Sequence, residues 1–388
     1  MKPRRLGIYV HVPFCLSKCS YCAFVSYPGA VDPHRAERYV DAALKELGTK
    51  ASMKDACHSG WTLFIGGGTP TTLGSEVLSR LVLGSVSIMR EKGWSEPVEA
   101  SVEANPGTFD AYGASMLVDS GVTRFSIGVQ TLFDPELEAI GRIHTAAEAK
   151  AAIRAARSAG ARSVSMDLMT GLPGQDVVSL ARTLDEVSSL EPDHVSCYAL
   201  TLEEGTPLMK SVQDGKVQLP DEELCADLME EAQRALEGMG LLRYEISNYA
   251  RKGHECLHNL GYWSDMPYIG IGTAAHSYDP ASSIRSWNTT DPDRYSDLIA
   301  RGLPAMEGNE RLCAKTAMSD ALILSLRTSY GASLDEIEQA YGEQFEQDKL
   351  DALSWGASVG LVESIPGRKY KLTAKGMMLS NALFTKLV

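Results

Sequence analysis

The chain has 388 residues, with 37 Lys and Arg against 50 Asp and Glu, a formal net charge of −13. Its 44% hydrophobic and 22% charged residues exclude a disordered chain and fit a large domain plus a smaller one. The acidic balance argues against a nucleic-acid partner, no apolar run approaches the ~20 residues of a membrane span, and the N-terminus shows no secretion signal.

In chain order, β-rich runs at 7–11, 62–65, 98–103, 122–129, 163–169 and 194–200 alternate with helical stretches at 33–53, 75–92, 111–120, 145–159 and 177–189. Six βα units in series predict an α/β fold with parallel strands wound into a partial (β/α)6 TIM-like barrel. A further helical run at 221–239 leads into Tyr244-Glu245-Ile246-Ser247-Asn248-Tyr249 and a Gly/His/aromatic-rich stretch reaching about Trp287. Beyond 310 the chain reads as helical, with a hairpin near Pro366-Gly367 and a final helix: a small, mostly helical, winged-helix-like unit. Residues 311–388 hold nine basic and nine acidic residues, and a neutral tail gives no support for DNA reading. The expected domains are a barrel core at 1–240, an extension at 241–309 and a C-terminal domain at 310–388.

Eight cysteines are too few for a disulfide scaffold, so reduced thiols and a cytoplasmic location are expected. Cys57, Cys197, Cys225, Cys256 and Cys313 are scattered singly and read as small hydrophobes. Cys15, Cys19 and Cys22 are different, lying within eight residues after the apolar run LGIYVHV. Three local thiolates can ligate three irons of a [4Fe–4S] cube and leave the fourth open. A structural zinc would need a fourth ligand, which His11 or a distant Cys could supply. In a barrel of this kind chemistry gathers at the carboxyl ends of the strands. Cys15, the Gly66-Gly67-Gly68-Thr69 segment, Glu103, Gln130, Asp167 and Tyr198 all fall there.

Cys15-x3-Cys19-x2-Cys22, with Tyr21 before the third cysteine, resembles the radical S-adenosylmethionine superfamily, and Phe64-Ile65-Gly66-Gly67-Gly68-Thr69-Pro70-Thr71 resembles its glycine-rich segment. More narrowly, five segments resemble the oxygen-independent coproporphyrinogen III oxidase group, over about residues 6–280. They are Tyr9-Val10-His11-Val12-Pro13-Phe14-Cys15, Val102-Glu103-Ala104-Asn105-Pro106, Arg124-Phe125-Ser126-Ile127-Gly128-Val129-Gln130, Asp167-Leu168 with Gly171-Leu172-Pro173-Gly174-Gln175, and Tyr244-Glu245-Ile246-Ser247-Asn248-Tyr249-Ala250. Within that group the chain is more similar to the heme-chaperone branch than to the oxidases. Phe24 stands where the oxidases carry a further Cys, and Cys15 lies 14 residues from the start, without the oxidases' long N-terminal extension. His258-Asn259-Leu260-Gly261-Tyr262-Trp263 matches the HNxxYW motif of the chaperones, and Gly270-Ile271-Gly272 to His276-Ser277 their next one. Thr170 departs from the Tyr of many relatives.

The resemblance implies that Cys15, Cys19 and Cys22 bind the cluster and that S-adenosylmethionine chelates the open iron. Gly67, Gly68 and Thr69 would bring backbone close to its methionine end. Glu103 would face its amino group or ribose, Gln130 a polar group, Arg142 its carboxylate and Asp167 its ribose, with Tyr9 beside the cluster. His258 would help hold heme, with His254 and Cys256 as other ligand candidates and Tyr262 and Trp263 as flanking aromatics. The function implied is binding of heme and its transfer to apo-hemoproteins such as membrane respiratory cytochromes, from the cytoplasm or the inner membrane face. The alternatives are oxidative decarboxylation of coproporphyrinogen III and a heme or iron–sulfur binding module without turnover. Each residue also has a purely structural role open to it. Glu103 and Asp167 could cap helices, the glycines could only make a turn, and Arg142 could lie on the surface. His258, Tyr262 and Trp263 could be core residues, and His11 could simply orient the cysteine loop. The sequence carries no signal for oligomeric state.

Overall fold

The computed structural model describes residues 5–51 and 60–388. Cys57, the last two residues of the expected helix 33–53 and the first four residues of the chain lie outside the described residues. Six strands follow in series, each crossing back through helix: β1 (Leu6–Val12), β2 (Trp61–Gly67), β3 (Glu99–Ala104), β4 (Arg124–Gln130), β5 (Ser163–Thr170) and β6 (His194–Ala199). They pair in parallel and in sequence order, so the expected partial barrel is present.

The alternation along these strands separates two faces. Ile8, Val10, Leu63, Ile65, Val102, Phe125, Ile127, Val164 and Met166 join a buried cluster with helix residues such as Tyr39, Leu47, Leu78 and Leu81. Many of the intervening residues are polar and bond to one another: Arg124 to Glu99, Ser126 to Asp167, Ser165 to His194. One face of the sheet is thus an apolar seat for helices, and the other is a hydrogen-bonding interior. The helices start on local signals. Asp32, Asp110, Thr145, Asp176 and Asp221 each accept a bond from a first-turn N–H, and Thr145 with Glu148 forms a reciprocal cap.

The expected extension is less separate than its sequence suggests. It adds β7 (Leu242–Arg243) and β8 (Asn248–Ala250) beyond β6, and β9 (Tyr268–Ile271), β10 (His276–Asp279), β11 (Ile284–Asn288) and β12 (Met306–Arg311) beyond β1. A single sheet results, in the order β12-β11-β10-β9-β1-β2-β3-β4-β5-β6-β8-β7. Gly270 makes the β9–β10 contact feasible, since a Cβ there would lie 2.0 Å from the His276 carbonyl oxygen. A second core, from Met318 to Leu387, is built by helices around the small sheet β13 (Ala332–Ser333), β15 (Lys369–Leu372) and β14 (Val362–Ile365). The hairpin β14–β15 is the one expected near Pro366-Gly367. No helix among the described residues is long and apolar enough to cross a membrane.

Candidate functional site

The cysteine loop hangs from the end of β1. Phe14–Cys15 pairs with Tyr27–Pro28, Tyr27 N–H donates to Pro13 O (2.7 Å) and Gly29 N–H to Cys15 O (2.9 Å), which ties the loop at its neck. His11, buried one turn of the strand below, reaches its far side through Nε2 to Val25 O at 3.0 Å. A carbonyl can only accept, so Nε2 carries the proton and Nδ1 accepts from the Tyr9 hydroxyl at 3.0 Å. Burial holds the His11 pKa below its ordinary value, in keeping with a neutral ring. His11 thus links β1 to the far side of the loop, and Tyr9 meets the His11 ring and not the cysteines. The thiols of Cys15, Cys19 and Cys22 are free and half-buried. Burial pushes those of Cys15 and Cys22 up, with Thr69 opposing it at Cys15.

The glycine-rich end of β2 packs against this loop. A Cβ on Gly68 would sit 2.6 Å from Phe14 O and 2.9 Å from Val12 O, and one on Gly67 (φ +109°) would strike the His11 ring. The glycines are needed first for packing within the protein. Their N–H groups are also committed: Gly67 to Glu103 Oε2 (2.9 Å), Gly68 to Val12 O (2.8 Å) and Thr69 to Phe14 O (2.6 Å). These N–H groups are therefore taken up within the protein, and the carbonyl oxygens and side chains of the segment are the groups left to face the mouth.

Glu103 and Asp167 face the barrel interior at the mouth. Glu103 caps the Gly67 amide of the neighbouring strand, not a helix, and burial raises its pKa to about 7. Burial likewise raises Asp167 to about 6, against the bonds it accepts from Ser196 and Ser126. Gln130 sits in the left-handed region (φ 68°), where the register of β4 against β5 slips. That irregularity turns its side chain toward Asn105 and Arg142 above Gly128. Arg142 is no surface residue. Its Nη1 donates to Cys19 Sγ (3.3 Å), and its Nη2 to Asn105 Oδ1 (2.8 Å) and to Gly128 O, while its buried Nε has no partner among the described residues. Cys19, Thr69, Asn105, Arg142 and His144 line a small open depression with the exposed side chains of Leu16 and Ile143 beside them.

His258 is not part of this site. It lies at the opposite, amino-terminal end of the strands, near Gly7, with Nδ1 bonded to Thr62 Oγ1 (2.8 Å) and Nε2 to the Tyr262 hydroxyl (2.9 Å). Its N–H donates to Glu99 Oε1 at 3.1 Å. Glu99 begins β3 and Glu103 nearly ends it, so the two levels are about 13 Å apart at ~3.3 Å per residue. Fully buried, stacked on Phe64 and with both ring nitrogens bonded, His258 offers no nitrogen to an iron; the expected heme contact is corrected to a structural role. Tyr262 packs edge-on against Tyr268, and Trp263 lies under the Arg327 guanidinium, 4.5 Å away. Cys256 is buried against Glu99. His254 alone of the three ligand candidates keeps an unpaired ring nitrogen, the buried Nδ1, among the described residues, beside a shallow surface depression lined also by Glu99, Arg124 and Leu257.

The residues at the mouth fit a cluster carrying a small zwitterionic ligand. Three reduced thiols share one short loop, a guanidinium with an unpaired Nε lines the depression, and two half-buried carboxyl groups stand on β3 and β5 with β4 between them. Among the described residues no three His, Cys, Asp or Glu groups converge as ligands of one ion would. A cube does not ask for that, because each thiolate binds a different iron. Asn105, part of a recognised segment but given no role from sequence, is the residue at this site that sequence reasoning missed. Only its position after Glu103 at a strand end could have marked it.

The family model for the Radical SAM superfamily matches residues 9–187. The chain is 34% identical to the protein named heme chaperone HemW of Bacillus subtilis, over 97% of each chain. It is also 34% identical to the HemW of Mycobacterium tuberculosis, over 100% of this chain and 96% of the other. The solved structure of coproporphyrinogen III oxidase (HemN) from Escherichia coli, described as a radical SAM enzyme, superposes with a TM-score of 0.82 at 25% identity. It covers 99% of this chain and 90% of that one. With the cysteine loop, the glycine-rich strand end and the barrel all in place, the chain belongs to the HemW family within the radical SAM superfamily.

Proposed function

We propose that this protein is a heme chaperone of the radical SAM type, which binds heme and passes it to apo-hemoproteins such as respiratory cytochromes. The observation that carries this reading is the likeness, over 97% of both chains, to a protein named heme chaperone. Cys15, Cys19 and Cys22 would hold the [4Fe–4S] cluster and leave one iron open to S-adenosylmethionine. Arg142 turns to the carboxylate of that ligand, Glu103 to its amino group or ribose, Asp167 to its ribose and Gln130 to a polar edge, with Gly67 and Gly68 presenting carbonyl oxygens. When bound, the reduced cluster supplies an electron to the sulfonium; the chain's own part is to bind, orient and exclude water. For heme we assign the imidazole of His254 in place of His258. The barrel at 1–240 serves as the cofactor unit, with 241–309 and 310–388 as its accessory units. The protein works in the cytoplasm, at the inner membrane face where its acceptor is membrane-bound.

A second reading, anaerobic decarboxylation of coproporphyrinogen III, is favoured by the close superposition on HemN. Phe24, 71% exposed at the position of the oxidases' further Cys, weighs against it. The test is anaerobic reconstitution, which should give about four irons and four sulfides per chain. Cys15→Ala, Cys19→Ala and Cys22→Ala should each abolish cluster absorption. Heme titration and transfer to an apo-cytochrome then follow, beside incubation with coproporphyrinogen III, S-adenosylmethionine and reductant. Formation of protoporphyrinogen IX, or absence of any transfer, overturns the proposal.

A further inference from the structure

A continuous line of hydrogen bonds joins two of the three cysteines, and Asn105 is its middle. Arg142 Nη1 donates to Cys19 Sγ (3.3 Å) and its Nη2 to Asn105 Oδ1 (2.8 Å). Asn105 Nδ2 donates to Thr69 Oγ1 (2.7 Å), and Thr69 Oγ1 lies 3.4 Å from Cys15 Sγ. The direction of every proton follows from chemistry. A guanidinium only donates, so the amide must turn its oxygen to Arg142 and its NH2 to Thr69. Thr69 Oγ1 then accepts from Asn105, which leaves its own hydrogen free to point at Cys15. Both ends of the line therefore deliver a donor to a sulfur.

The surroundings hold Asn105 in place. Its carbonyl accepts from Thr108 N–H (3.2 Å) and Oγ1 (2.6 Å), and the Thr108 hydroxyl is bonded in turn to Thr71 beside the glycine-rich segment. Gly128 leaves the necessary room: a Cβ there would lie 2.6 Å from Asn105 Oδ1 and 2.9 Å from Arg142 Nη2.

We propose that Asn105 is a positioning residue for the cluster, one amide that holds Thr69 to Cys15 and Arg142 to Cys19 and so aims a hydrogen-bond donor at each sulfur. The proposal rests on the three-cysteine cluster reading. Donors to cluster sulfurs raise the reduction potential, and added negative charge lowers it. Asn105→Asp can still accept from Arg142 but cannot donate to Thr69, whose hydroxyl must then turn to the new carboxylate and away from Cys15. Thr69→Val removes the same donor without touching Asn105, while Thr69→Ser keeps it.

The experiment compares reconstituted parent, Asn105→Asp, Thr69→Val and Thr69→Ser proteins by iron and sulfide content and by spectroelectrochemical titration of the cluster. The expected result is a more negative midpoint potential in Asn105→Asp and Thr69→Val, with Thr69→Ser at the parent value and all four loaded. A structural role alone would change loading and leave the potential of loaded protein where it was. Parent-like potentials in loaded Asn105→Asp and Thr69→Val overturn the proposal and leave the cluster reading intact. Should Asn105→Asp fail to fold, the Thr69 pair decides the matter by the same criterion. A parent protein without acid-labile sulfide overturns both.

Discussion

His258 shows how far burial decides what a residue can do. Its ring is sealed at the foot of the barrel between Thr62 and Tyr262, and burial lowers its pKa to about 3. His258→Ala removes two bonds and leaves a void, so a loss of about 2–4 kcal/mol in unfolding free energy is expected. Denaturant titration measures that loss, while the heme absorption spectrum should keep its Soret position; a shifted Soret band would return His258 to the heme site. The ring is neutral in the folded protein but titrates near 6.5 when unfolded. The stability it contributes is thus present above about 6.5 and lost as pH falls toward 3. Glu103 runs the other way. Burial raises it to about 7, so the stability tied to its protonated form is full below 4.5 and is lost as pH rises from there to 7. A cationic amino group should bind the ionised form. The affinity for S-adenosylmethionine should therefore fall about tenfold per pH unit below 7, as cluster spectra at pH 6 and 8 can measure. Equal affinity at both would remove Glu103 from that contact.

At the scale of elements, the contact between the end of β2 and the cysteine loop has little tolerance. Gly68→Ala would drive a methyl group into the backbone carbonyls of Phe14 and Val12, neither of which can swing aside as a side-chain tip could. The expected outcome is a folded protein with clearly reduced iron content after reconstitution, at a cost of about 1–3 kcal/mol. Circular dichroism beside iron analysis checks it, and full loading would show that the loop adapts. The elements themselves were largely legible. SVSMDLMT in β5 writes the alternation of a strand with one polar and one apolar face, and Thr145 with Glu148 announces a helix start. β9 and β10 were not legible. Four residues each, with glycine or polar residues among them, they are too short to show a strand period, and β9 pairs with β1 about 260 residues away.

Over the whole molecule, the C-terminal unit meets the sheet along a seam where Arg285 pairs with Asp320 (2.8 Å) and Ile246 packs on the second core. Glu245 bridges to Thr328, Ser329 N–H donates to Tyr244 O (2.9 Å), Tyr341 donates to Asp265 (2.8 Å) and Arg327 covers Trp263. Trp263→Ala should loosen this seam by about 2–4 kcal/mol, and limited proteolysis should then cut near residue 310 faster than in the parent. An unchanged cleavage rate would place the strength of the seam elsewhere. The sequence by itself determined the βα order, the cysteine loop and the strand-end placement of Glu103, Gln130 and Asp167, because these depend on local periodicity and spacing. Only the tertiary structure decided that His258 lies at the foot of the barrel, that Arg142 reaches Cys19 across 123 positions, and that Asn105 stands between two cysteines. Those facts depend on which strand lies beside which and on which end of the barrel a side chain occupies. Neither is encoded in the spacing of residues along the chain.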